Sequence, residues 1–143
     1  MLIEGLYKVT ATENTAEGIL AKVHLNEDHA IFKGHFPGNP VMPGVLQIEA
    51  MAQTGGILIL SQIEDPWNYE TLFVKIDKVK FKRKVVPGDT LIFKLELLGP
   101  VRRGLVNMRG TAYVRNHVVS EGELMAQIIK VRNDERVKSQ HSS

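Results

Sequence analysis

Residues 43 to 61, "PGVLQIEAMAQTGGILILS", constrain the fold more than any other part of the chain. Pro37, Pro40 and Pro43 block regular structure just before the stretch. Pro43 suits the first position of a helix, where its missing N–H does no harm. The spacing predicts a helix from about Pro43 to Ser61. Wound that way the segment is apolar on nearly all sides, so it is expected to be buried. Gly55 and Gly56 fall inside it, and each costs roughly 1 kcal/mol relative to alanine. Close packing against a sheet or a partner chain would account for them.

Around this helix the sequence alternates with the period of strands. Residues 18–25, "GILAKVHL", read as one strand. "LFVKIDKVKFKRKV" (72–85) and "TLIFKLELLG" (90–99) flank a turn at "PGD". "RGLVNMRGTAYV", a turn at "RNH", and "VVSEGELMAQIIKV" form a hairpin. The sum is one long buried helix with five or six mostly antiparallel strands, an α+β domain with the sheet wrapped around the helix. A chain of 143 residues with 43% hydrophobic content suits one domain with its own core, over residues 1–132. The polar end, "NDERVKSQHSS", reads as a loose, disordered tail over 133–143. With no cysteine there are no disulfides or thiolate metal sites, which fits a cytoplasmic protein. The start of the chain lacks the pattern of a signal peptide, and no apolar run is long enough to span a bilayer.

Glu49 interrupts the apolar helix. Helical geometry puts Val45, Glu49, Gln53 and Gly56 along one face. Burying a carboxylate without partners costs several kcal/mol, so a lone helix glutamate more often belongs to a satisfied network or touches water. His35, in "GHFPGNPVMPG", has a bland reading too, as a loop histidine bonded to the backbone. Together they carry chemistry. A loop histidine can act as a base near neutral pH. A carboxyl in a mostly apolar wall has its pKa raised and can serve as an acid. The N–H of Gly44, at the helix start, can polarise a carbonyl. Base, acid and oxyanion donor suit proton abstraction beside a carbonyl, with loss of a group at the next carbon.

"GHFPGNPVMPGVLQIEAMAQTGG" (34–56) resembles, almost throughout, the signature of the hot-dog-fold 3-hydroxyacyl-[acyl carrier protein] dehydratases of bacterial type II fatty acid synthesis. "IDKVKFKRKVVPGDTLIFKLELL" and "SEGELMAQI" extend the resemblance from about Asn26 to Val131. The chain is most similar to the type with glutamate at the acid position. The isomerising relatives have aspartate there. The resemblance implies His35 as the base at C2 and Glu49 as the acid to the C3 hydroxyl. It implies Gly44 as the thioester-oxygen donor, with Val41 orienting the histidine and Gln53 supporting the acid. It further implies an active site shared across a homodimer, with His from one chain and Glu from the other, and often three such dimers together. No metal and no organic cofactor are implied. The substrate would arrive on the phosphopantetheine arm of acyl carrier protein.

This chain departs from the family at its start, where "MLIEGLYKVTATENT" replaces a "LPHRYP"-like segment. Leu72, followed by Phe73, stands where relatives often carry an aromatic gating residue. Some relatives are fused behind a lipid A deacetylase, and "GVLQIEAMAQTGG" resembles their wording. Lys78, Lys80, Lys82 and Lys84 alternate, so one strand face is expected to carry them all, with Arg83, Arg102 and Arg103 nearby. Such a basic rim would steer an acidic carrier protein, or would blunt an edge strand with lysines. Nucleic acid is a weaker match, because exposed aromatics and a binding motif are missing. Three other readings stay open: a hot-dog thioesterase, a dehydratase of a specialised lipid or polyene pathway, and a non-catalytic acyl-binding subunit.

Overall fold

The computed structural model describes residues 10–14 (as backbone), 18–26 and 41–131. The tail over 133–143 and the loop that carries His35 lie outside them. Among the described residues, six strands and one long helix follow one another as β1 (Thr10–Asn14), β2 (Gly18–His24), α1 (Gly44–Leu60), β3 (Tyr69–Phe81), β4 (Thr90–Leu97), β5 (Leu105–Val114) and β6 (His117–Lys130). The strands form one antiparallel sheet in the order β1-β2-β4-β5-β6-β3. The sequence reading of strands around one helix therefore holds. β1 is an addition to it, and β3 ends at Phe81 rather than running on to Val85.

Alternation in the strands supplies the core. Ile19, Ala21 and Val23 of β2, Leu91, Phe93 and Leu95 of β4, and Val106, Met108 and Ala112 of β5 are all buried. They meet Ile48, Met51, Leu58 and Ile59 of α1 in the same cluster. Gly55 is needed for this contact: a methyl group there would lie 2.8 Å from Met108 Cε. Gly56 has no such neighbour among the described residues, so packing against the sheet accounts for Gly55 alone.

The helix corrects the expectation of burial on every side. Val45 is 75% exposed and Glu49 is exposed as well. One sheet can cover only one side of a helix, so the opposite stripe stays open in the single chain. The edge strand β3 is open too. Leu72, Val74, Ile76, Val79 and Phe81 are all exposed along it. A long apolar edge of this kind calls for a covering partner.

The lysine stripe holds as far as Lys82: Lys78 and Lys80 share a hollow with Glu121 and Glu123, and Lys82 pairs with Glu121, whereas Val79 lies against Gly122 and Phe81 against Gly44. The register slips between Asp77 and Lys80, where Lys78 takes a positive φ of 53°. This bulge changes the phase of the strand where the stripe begins, because an extra residue shifts every later side chain. Lys78 lies 3.5 Å from Glu123, and Lys82, beyond the strand end, lies 3.6 Å from Glu121. Arg109 donates to Glu123 Oε1 at 3.1 Å. That hydrogen bond, with the charge of Lys78 beside it, holds the Glu123 carboxyl below its ordinary range.

Candidate active site

The start of α1 is placed by two features. Met42 N donates to Val85 O at 2.8 Å, which ties the residue ahead of the helix to the segment after β3. Pro43 then sits at φ −59°, ψ 138°, an extended conformation that ends the loop and leaves Gly44 as the first helical residue. Among the described residues no side chain caps this end, and the first turn has no acidic residue. The first N–H groups of a helix have no intrahelical acceptor, and the helix dipole makes that end positive. Gly44 N–H is thus suited to receive a carbonyl oxygen.

Gly44 cannot readily be replaced. A methyl group there would lie 2.6 Å from Cε1 and Cζ of Phe81. The Phe81 ring therefore lies against the helix start, although it is 53% exposed. A groove of about 500 Å³ opens at this point, and its lining includes Val41, Gly44, Gln47, Phe81, Arg83 and Lys84. Val45 also lines it, one turn before Glu49 on the open face of α1. The groove and the Glu49 face are therefore neighbours. Gln53 follows Glu49 one turn later on the same face and is half-buried.

The structure brings Val41 and Gly44 together with Lys82, Arg83 and Lys84. Lys80 lies a little away, in a smaller hollow with Lys78, Arg109, Glu121 and Glu123. Arg102 and Arg103 do not join them, which corrects the expected proximity. Lys82 N bonds to Val119 O, whereas Arg103 O accepts from Gln127 Nε2 at 3.4 Å. From 119 to 127 is eight residues along β6, about 26 Å at roughly 3.3 Å each. The β4–β5 turn lies at the far end of the sheet because β6 runs its whole length. His35 lies outside the described residues. Leu72 is exposed on β3, and Phe73 packs against the core.

Sequence reasoning missed three residues here. Phe81 carries no signal of its own in the sequence beyond its place in an alternating segment. Gln47 is polar, three residues after Gly44, yet only 3% exposed. Ser120, the register partner of Phe81 on β6, is fully buried. A glutamine inside an apolar helix was the one signal available in the sequence.

The FabA-like domain model matches residues 2–123. The bifunctional enzyme LpxC/FabZ of Bacteroides thetaiotaomicron is 55% identical over 118 residues, which are 82% of this chain and 26% of that protein. This chain thus spans about a quarter of the length of that relative. The 3-hydroxyacyl-[acyl-carrier-protein] dehydratase FabZ of a Hydrogenobaculum species is 48% identical over 108 residues, 75% of this chain and 71% of the relative. A solved thioesterase from Haemophilus influenzae superposes with a TM-score of 0.70 at 12% identity, over 90% of this chain and 82% of its own. That likeness concerns the fold, the hot-dog arrangement of a sheet around one helix. Because the family model spans both the helix that presents Gly44 and Glu49 and most of the sheet around it, the chain belongs to the FabA-like domain family.

Proposed function

We propose that this chain dehydrates (3R)-hydroxyacyl-acyl carrier protein to the trans-2-enoyl thioester in fatty acid biosynthesis. The observation that carries this reading is its 48% identity to a dehydratase over 71% of that enzyme's length. The uncapped helix start at Gly44, beside the face that presents Glu49, supports it. In the proposed step, Gly44 N–H polarises the thioester carbonyl and His35 removes a proton from C2. The electron pair of that C–H bond forms the double bond as the C3–O bond breaks. Glu49 gives its proton to the departing hydroxyl, which leaves as water. Val41 orients the histidine and Gln53 supports the acid. The enzyme is proposed to work in the cytoplasm. No described helix is long and apolar enough to cross a membrane.

The active unit is proposed to be a homodimer joined at β3. A two-fold axis through an edge strand pairs it with its own copy antiparallel. The partner would then cover the exposed apolar residues of β3 and the Val45–Glu49 stripe. It would also bring His35 of one chain towards Glu49 of the other. The same symmetry places Arg102 and Arg103 of the partner subunit about three strand spacings, roughly 14 Å, from the Lys82–Lys84 end. A docking rim for acyl carrier protein would thus draw on both chains, with Lys80, Lys82, Arg83 and Lys84 from one and the two arginines from the other. Charge reversal at Arg83 and Lys84 should raise KM for the carrier-linked substrate about tenfold or more at low salt, with kcat retained, and the difference should shrink as salt rises. An unchanged KM would remove these residues from the rim.

Mass spectrometry of purified protein incubated with 3-hydroxyacyl-acyl carrier protein tests the function directly. Loss of water from the carrier-bound species is expected. Release of free hydroxy acid would instead favour the thioesterase reading, and an unchanged bound substrate would favour an acyl-binding subunit.

A further inference from the structure

Among the described residues, Gln47 Oε1 in the groove and Ser120 Oγ across from Phe81 are buried with no hydrogen-bond partner. Buried polar groups are nearly always paired, so an orphan marks a place where a partner is expected to arrive. These two flank one side chain. Gln47 lines the groove with Phe81, and Ser120 is the register partner of Phe81 across the strand pair. The ring of Phe81 lies against Gly44, and in the single chain it is half exposed.

Their chemistry is complementary to one kind of group. Gln47 Oε1 can only accept, and a serine hydroxyl can donate. A secondary amide offers one N–H and one carbonyl oxygen and satisfies both. Gln47 lies three residues beyond Gly44, about 4.5 Å along the helix axis. In a phosphopantetheine thioester the first amide nitrogen is separated from the sulfur by two carbons, which is a comparable reach. A thioester carbonyl at Gly44 N–H would therefore present its neighbouring amide at the level of Gln47.

Resting on the dehydratase reading above, we infer that Gln47 and Ser120 form a subsite for the terminal amide of the substrate's arm, closed in the free protein by the ring of Phe81. Gln47 and Ser120 are positioning residues. They hold the arm so that the thioester sits at Gly44, and they take no proton in the reaction. Phe81 is the lid that seals both atoms from water until the arm displaces it.

The test compares two small 3-hydroxyacyl thioesters: one on N-acetylcysteamine, which carries this amide, and one on pentane-1-thiol, which does not. Wild-type protein is expected to favour the amide-bearing thioester in kcat/KM by about ten- to a hundredfold, because a site built to bond a polar group rejects an analogue that lacks it. In Gln47→Met the preference should fall to about twofold, while the thermal midpoint rises as an orphaned buried acceptor is removed. Ser120→Ala should reduce the preference as well, and it carries the test if the methionine variant does not fold. Turnover of the carrier-linked substrate is measured in the same preparations. A preference that survives both substitutions overturns the subsite and leaves the dehydratase reading intact. A wild-type enzyme that dehydrates no thioester, carrier-linked included, overturns both.

Discussion

Glu49→Gln should lower the turnover of carrier-linked 3-hydroxyacyl thioester by about 10²- to 10⁴-fold, the usual worth of a positioned general acid. Glutamine keeps the size and hydrogen-bonding reach of the side chain but has no proton to give to the leaving hydroxyl. Glu49 is exposed in the single chain and outside the core, so folding should be unaffected. His35→Ala should lose activity to a similar degree. The decisive experiment mixes the two inactive proteins under conditions that let subunits exchange. If each active site takes His35 from one chain and Glu49 from the other, a mixed dimer contains one intact site and one doubly damaged site. An equal mixture should then recover about a quarter of wild-type activity, since half of the dimers are mixed and each has one working site of two. No recovery, with exchange demonstrated by mass, would mean that the two residues act within one chain or not at all.

A charge at the β3 edge should have an effect as large, by a different route. Ile76 is a register partner of buried Leu124, so it points to the inner side of the sheet, yet it is half exposed in one chain. In the proposed dimer it is covered by the partner. Ile76→Asp would bury a carboxylate without a partner, which costs several kcal/mol. The variant should sediment as a monomer with its circular dichroism preserved, and dehydration should fall at least a hundredfold because His35 and Glu49 no longer meet. A monomer that kept its activity would place the whole site in one chain. A variant that remained an active dimer would move the interface away from β3.

These expectations draw unequally on sequence and structure. The helix boundaries were legible to within one residue, because a proline stop, an apolar run and the return of strand alternation are all local signals. The strands β2, β4, β5 and β6 were legible for the same reason. So was the shared face of Val45, Glu49, Gln53 and Gly56, which follows from helical geometry alone. The resemblance added roles for His35, Glu49 and Gly44 that periodicity could not assign.

Three features could not be read from order and composition, and each depends on residues far apart in the chain. Whether the Glu49 stripe is covered depends on how much of the helix one sheet can reach, and a single sheet leaves that stripe open. The bulge at Lys78 and Val79, where the lysine stripe begins, arises from pairing with β6, which no local pattern in β3 announces. Sequence alone puts Arg102 and Arg103 near the same patch, but strand register carries their turn to the opposite end of the sheet. The orphaned atoms of Gln47 and Ser120 emerge in the same way: a polar residue in the sequence shows what it could bond, and only the packing around it shows that the partner is missing. Local conformation follows from near neighbours along the chain, so the sequence by itself determined the elements and the candidate chemistry. Covering, register and hydrogen-bond satisfaction are set by contacts across the fold, and those were decided by the tertiary structure alone.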